Sequence, residues 1–286
     1  MQIEKKAYAK INLSLDVLRR REDGYHEVKM IMQMIDLFDV LTFEKREDDQ
    51  IVISTNKANL PCDESNLIYK AAKTFFEATD SWFGVDIKLQ KQIPMAAGMA
   101  GGSSDAAVTF LALNEMAGSP LSKDALMEIS VKVGADVPYC ILGGTALAEG
   151  IGEKLTVLQA PPQSVVLIAK PDIDVPTPFV YKNLHLETVT NHPDVDGMQL
   201  AIANQDAMGI YDRLGNVLET VTIPAYPVIG EIKAEMQKEG AINSLMSGSG
   251  PTVFGFFEDA ATADKAADAI RERFQLKDVY VTKFVR

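Results

Sequence analysis

One stretch constrains this chain more than any other: between Val85 and Gly118 the hydrophobic period changes from two to that of a helix, with a run of small residues between. Val85, Ile87 and Leu89 alternate with Asp86, Lys88 and Gln90, the pattern of a half-buried strand, and Pro94 stops it. Ala106, Ala107, Phe110, Leu111, Leu113 and Met116 then recur at helical spacing, behind Ser103, Ser104 and Asp105, which are N-cap residue types. The loop Pro94-Met95-Ala96-Ala97-Gly98-Met99-Ala100-Gly101-Gly102-Ser103-Ser104 therefore feeds a helix N-terminus. There the first N–H groups lack an intrahelical partner and the macrodipole is positive, so a phosphate is well placed to bind, and Gly and Ala let it approach the backbone. A strand-to-helix turn that merely packs closely would use the same residues. No lysine stands between 92 and 122, which excludes the P-loop pattern, and Gly98, Gly101 and Gly102 lack the dinucleotide-motif spacing.

A chain of 286 residues has room for two domains, and the Gly- and Pro-containing stretch 148–164 is the best boundary, giving 1–155 and 156–286. The net charge of −12 argues against a broad nucleic-acid or anionic-membrane surface, so any phosphate must be held locally. Cys62 and Cys140 form no metal or redox motif, and His185 and His192 lack metal-ligand spacing. The start of the chain has no apolar signal core and no 18-residue apolar span follows, so a cytoplasmic protein is expected.

Elsewhere, Ile11, Leu13, Leu15 and Val17 alternate with Lys10, Asn12, Ser14 and Asp16 in a strand over 7–18, placing Lys10 and Asn12 on one face. For an isolated lysine, a solvated edge face is the simpler explanation. A charged turn containing Tyr25 and His26 leads into strands over 28–43 and 51–54. Asp63 or Ser65 is expected to cap a helix from Leu67 to Phe76, with Trp82 and Phe83 closing its core. A further helix opens at Ser119-Pro120-Leu121-Ser122 and ends with Gly134 as its C′ residue. Asp136, two residues before Pro138, suits either a turn cap or catalysis. In the second half, 165–169 reads as a buried strand, 171–181 as a proline-stiffened loop, and 197–209 and 226–239 as helices. Residues 243–252 form a second small-residue loop before a strand over 253–257, a helix to Phe274 and a last strand, an α+β arrangement.

Three separated motifs occur in one order: Lys10-Ile11-Asn12-Leu13, Pro94 to Ala107, and Ser247-Gly248-Ser249-Gly250-Pro251-Thr252. Together they resemble the GHMP kinase superfamily. Asp23-Gly24-Tyr25-His26, Gly134-Ala135-Asp136-Val137-Pro138 and Pro176-Thr177-Pro178 narrow the resemblance to members that phosphorylate 4-diphosphocytidyl-2-C-methyl-D-erythritol. The resemblance implies an α+β, two-domain GHMP kinase fold: a ribosomal-protein-S5-like N-terminal domain, a ferredoxin-like C-terminal domain and an active site between them. It implies ATP and Mg²⁺ as cofactors, with Pro94, Ala96, Ala97, Gly98, Met99, Ala100, Gly101, Gly102, Ser103 and Ser104 around the ATP phosphates. It makes Asp136 the catalytic base and Lys10 its charge partner. Asn12, Tyr25, His26, Thr177, Tyr181, Ser247, Gly248 and Ser249 fall at substrate positions, with His26 and Tyr181 on the cytosine. The partner is that small molecule, with no nucleic acid or membrane, and the expected state is a monomer or weak homodimer. Met99 stands where leucine is usual and Tyr181 where phenylalanine is, and no acidic Mg²⁺ ligand can be assigned.

Overall fold

Two long strands, β1 (Gln2–Arg20) and β2 (His26–Lys45), form where apolar and polar residues alternate. The computed structural model describes residues 2–285. Ile11, Leu13, Leu15 and Val17 are buried, as their alternation predicts, but so are Lys10, Asn12, Ser14 and Asp16 opposite them. The polar face of β1 is thus interior, where each polar group needs a partner. Both strands contribute to each of the two compact units into which the chain divides.

The first unit holds the chain up to Ala9, Leu37–Met95 and Ala100–Gly143. Within it β2 pairs antiparallel with β4 (Val85–Gln90), Val40 opposite Gln90, and β3 (Ile51–Thr55) lies parallel to β4. Its helices are α1 (Leu67–Thr79), α2 (Gly101–Met116), α3 (Lys123–Ser130) and α4 (Val137–Leu142). Buried residues occupy α2 all round, Ala106, Ala107, Phe110, Ala112 and Leu113 among them, so it is a core helix rather than an amphipathic one. The cap of α1 is Asn66, whose Oδ1 accepts from the Ile68 amide at 2.9 Å, and not Asp63 or Ser65. Asp63 instead folds the preceding turn by accepting from Ser65 N at 2.9 Å. Trp82 and Phe83 both pack on Phe76, with ring centroids 4.9 and 5.0 Å away. Because α3 already ends at Ser130, Gly134 is not its C′ residue but lies in the turn before α4. That short helix hides in the sequence because Tyr139 to Leu147 reads as one apolar run.

The second unit holds Lys10–Asp36, Ala96–Met99 and the chain from Gly144. Here β5 (Thr145–Gly150) pairs antiparallel with β2, Val28 opposite Gly150, and with β6 (Lys154–Val157). A second sheet contains β7 (Val165–Lys170). Between β7 and the next strand come α5 (Thr177–Lys182), a 3₁₀ turn at Leu186–Thr188, α6 (Val195–Ala203) and α7 (Ala207–Asp212). Next, β8 (Gly215–Asn216) runs parallel to β1 at Ser14 and Leu15, followed by α8 (Glu219–Ala225) and α9 (Val228–Lys238). The chain then completes the sheet with β9 (Asn243–Met246), β10 (Val253–Phe257), α10 (Ala260–Phe274) and β11 (Asp278–Lys283). Strand order β11-β7-β10-β9 with α9 and α10 interposed is a βαββαβ, ferredoxin-like arrangement.

Three local expectations change. The proline-rich stretch 171–181 is not all loop: α5 starts at Thr177, because Pro178 sits in its first turn, where a missing N–H costs nothing. The helix expected over 197–209 is two helices, broken where Gln205 takes φ 57° and Asp206 caps α7 by accepting from Gly209 N. The second small-residue loop begins as strand β9 and turns only after Met246.

Candidate active site

The polar face of β1 carries the cation. Lys10 is 4% exposed, and its Nζ donates to Asn12 Oδ1 at 2.6 Å and to the Gly98 carbonyl at 3.2 Å. Both acceptors are neutral, and among the described residues Lys10 forms no ion pair. Asn12 is oriented by its own amide, which points to Met30 Sδ at 3.2 Å.

Gly98 joins Lys10 to the second small-residue loop, since its carbonyl also accepts from Ser247 Oγ at 3.0 Å. Gly98 has φ +67°, and a Cβ there would lie 2.3 Å from the Ser247 carbonyl oxygen; one on Gly248, at φ +58°, would lie 3.0 Å from the Gly98 oxygen. The two loops meet backbone to backbone, a contact open only to glycine. Gly98→Ala is therefore expected to cost about 2–4 kcal/mol of stability and most of the turnover, read from urea unfolding and initial rates.

The loop over 247–249 is buttressed by residues that sequence reading passes over. Asn216 Nδ2 donates to the Met246 and Gly248 carbonyls, both at 2.8 Å, and Thr222 Oγ1 donates to Ser249 O at 3.3 Å. Glu219 Oε1 accepts from Met246 N at 2.8 Å and is held by Lys233. The nearest sequence signal is a lone Asn amid apolar neighbours. Elsewhere in this unit, the rings of His26 and Tyr181 lie 5.2 Å apart at 36°, and the Thr177 and Ser249 hydroxyls are hydrogen-bonded at 2.8 Å. Burial, then the charge of Arg20, pushes the His26 pKa down, so the ring is neutral at pH 7 and offers one donor and one acceptor. Tyr25 is 60% exposed on the turn. His192 is engaged as well, its Nδ1 lying 2.7 Å from Asp16 Oδ1, whereas His185 stays on the surface.

The glycine-rich loop runs into α2, a helix of the first unit, without a side-chain cap. Ala96, Gly98 and Ala100 all have positive φ, so left-handed positions alternate with ordinary ones, the backbone pattern of anion-binding nests. Ala100, at φ 55° and ψ 28°, occupies the N-cap position and makes no capping bond. Ser103, Ser104 and Asp105 thus lie inside the helix instead of capping it, with Ser104 buried and Ser103 half-buried. A Cβ on Gly134 would lie 3.9 Å from Ser103 Oγ, which sets the turn before α4 against the first turn of α2. Asp136 ends that turn. It is half-buried, at φ −84° and ψ −11°, and its carboxylate makes no capping bond to α4.

The first unit also contains a buried ionic cluster with no signature in the sequence. Lys91 Nζ donates to Asp39 Oδ2 at 2.5 Å and to Asp105 Oδ2 at 2.6 Å, all three side chains being almost fully enclosed. Burial lowers the Lys91 pKa, but the two carboxylates outweigh it and the net direction is up. Burial pushes Asp105 up to about 7; Lys91 opposes the shift and Asp39 adds to it. A carboxyl that binds its proton more tightly when folded stabilises the fold below its unfolded pKa near 4 and loses that contribution as pH rises to about 7. Asp105→Asn should remove this component, so the variant should gain stability relative to the parent between pH 5 and pH 8, measured by urea midpoints. A parallel pH dependence in both proteins would contradict it.

Comparison with known proteins adds the lineage. The model for the GHMP kinases N terminal domain matches residues 66–144, and that for GHMP kinases C terminal matches 198–276. A 4-diphosphocytidyl-2-C-methyl-D-erythritol kinase of Lachnoclostridium phytofermentans is 49% identical over 99% of this chain and 97% of that protein. One from Lachnospira eligens is 48% identical, covering 98% of each. The crystal structure of a 4-(cytidine 5'-diphospho)-2C-methyl-D-erythritol kinase superposes with TM-score 0.84 at 33% identity, covering 99% of this chain and 100% of the other. Homoserine kinase from Cytophaga hutchinsonii, at 19% identity over 98% of this chain and 94% of its own, shares the fold with TM-score 0.79. The chain belongs to the GHMP kinases and, within them, to the 4-diphosphocytidyl-2-C-methyl-D-erythritol kinase family.

Proposed function

We propose that this protein transfers the γ-phosphoryl group of ATP to the 2-hydroxyl of 4-diphosphocytidyl-2-C-methyl-D-erythritol, a step of the non-mevalonate isoprenoid pathway, working in the cytoplasm as a monomer or weak homodimer. The observation that carries the reading is Lys10: a buried ammonium whose hydrogen-bond partners among the described residues are all neutral oxygens has its charge unmatched by them, and a phosphate supplies the match. Residues 94–104 receive the ATP phosphates on the uncapped end of α2. Asn12, Ser247, Gly248 and Ser249 hold the transferring end of the alcohol, with Thr177 beside Ser249. His26 and Tyr181 take the cytosine, the neutral imidazole reading its edge and the phenol ring stacking on its face, with Tyr25 on the adjacent turn as a further substrate contact.

In the transfer, the substrate oxygen forms the new bond to the γ-phosphorus, the bond from that phosphorus to the β–γ bridging oxygen breaks, and ADP leaves. The hydroxyl proton passes to the Asp136 carboxylate. The transition state asks mainly for positioning and charge neutralisation, chemistry that a buried cation such as Lys10 and helix N-terminal amides such as those of α2 are able to supply. Among the described residues no group of three or more His, Cys, Asp or Glu could hold a metal ion. Ser103 and Asp136, on adjoining turns, have the chemistry to touch Mg²⁺, which would neutralise phosphate charge there. An ADP-release assay over a panel of alcohols tests the assignment. Turnover should be strong with the cytidyl diphosphate compound and absent with mevalonate or homoserine; the reverse pattern would overturn it.

A further inference from the structure

The buried cluster of Asp39, Lys91 and Asp105 ties together the two ends of the glycine-rich loop. At the entering end, Asp39 Oδ1 accepts from two successive amides, Gln92 N at 2.5 Å and Ile93 N at 2.8 Å, while the backbone of Lys91 is held by Asn56 through Lys91 N to Oδ1 at 2.8 Å and Nδ2 to Lys91 O at 3.3 Å. At the leaving end, Asp105 lies one residue past Ser104 in α2 and receives Lys91 Nζ at 2.6 Å. Gly101, the first residue of α2, is seated on the same ammonium, for a Cβ there would lie 3.0 Å from Lys91 Nζ and 3.0 Å from Ile93 Cγ2. One lysine thus anchors the chain entering the loop and the helix leaving it.

Such a cluster is costly to build. Three ionisable groups are withdrawn from water, Asp105 Oδ1 is buried without a partner among the described residues, and well-packed apolar residues at such places are often as stable or more so. Its advantage over an apolar contact is direction: Lys91 has donors that fix where both carboxylates, and hence both backbone segments, must lie. The intervening loop contains non-glycine residues at positive φ, Ala96 and Ala100, a strained shape that persists only where its surroundings over-determine it.

We propose that Lys91, gripped by Asp39 and Asp105, is a positioning residue for ATP, holding the loop over 94–100 in its phosphate-receiving shape before nucleotide arrives. This rests on reading the loop as the phosphate site. Lys91 touches neither the transferring group nor the alcohol in this scheme, so its loss raises the cost of binding ATP and leaves the chemical step largely as it was.

The test measures MgATP affinity by calorimetry and steady-state kinetics on the full chain, with folding checked by thermal unfolding. Lys91→Met, which keeps length and loses charge, should raise Kd and KM for ATP about tenfold or more, with kcat changed less than about threefold. Asp105→Asn should stay within about threefold of wild type, because its amide oxygen still accepts from Lys91 and Asp39 keeps the counter-charge. Asp39→Asn should resemble Lys91→Met, since a carboxamide, with one oxygen in place of two, cannot accept from both backbone amides and the ammonium; it carries the test if Lys91→Met does not fold. A purely structural cluster would lower the unfolding temperature in all three variants and leave ATP Kd unchanged in the folded fraction, and that result overturns the proposal. Binding is measured without the alcohol, so failure of the assigned substrate in the turnover assay is seen separately.

Discussion

Asp136→Asn is expected to lower kcat by a factor of about 10³ while leaving ATP affinity within about threefold of wild type. The substitution preserves shape and an N-cap residue type at the start of α4, so the turn set against the first turn of α2 should survive. What it removes is the ability to accept a proton. The carboxylate makes no capping bond to α4, so it has no helix-ending duty that its loss would disturb. Rapid-quench measurement of the phosphoryl-transfer step, beside calorimetric ATP binding, separates chemistry from binding. An Asp136→Asn enzyme with near-normal single-turnover rate would remove the residue from the role of base.

Lys10→Met should lower kcat/KM by about 10²–10³ while changing the unfolding free energy by no more than about 2 kcal/mol. Two effects oppose each other in the fold. Removing an unmatched buried charge is favourable, whereas Asn12 Oδ1 loses a donor and, once unsatisfied, costs about 1–3 kcal/mol. The Gly98 carbonyl keeps Ser247 Oγ, so the contact between the two loops survives. In the proposed role function has no such compensation, because methionine brings no cation to a phosphate. Urea denaturation and initial rates on one preparation decide the matter: a Lys10→Met protein that lost stability and activity in proportion would show Lys10 to be a strut.

The two largest effects fall on residues already marked in the sequence, but for different reasons. Lys10 stands out only because a motif surrounds it; by itself, a lysine alternating with apolar residues suits a solvated edge, and its burial depends on what covers the strand. Asp136 reads locally as a turn cap, and the absence of a capping bond is visible only in three dimensions. Asn216 and Glu219 have no sequence signal beyond a lone Asn amid apolar neighbours. They act on a loop 27 to 32 positions away, through hydrogen bonds to backbone atoms that carry no sequence signature. Similarly, the helix α4 escaped because an apolar run of that length has no readable period.

What the sequence alone determined is what depends on near neighbours: a strand, a small-residue loop, a core helix and a second such loop, with the order of motifs that marks a GHMP kinase. Periodicity and turn chemistry act over a few residues, so they survive without the fold. Tertiary structure decided the partners. Ser247 bonds to Gly98 across 149 positions, and Asp39 meets Lys91 across 52. Whether a charge is buried, matched or left waiting for a ligand is a property of such long-range contacts, because burial sets its desolvation cost and only the folded chain supplies or withholds a counter-charge.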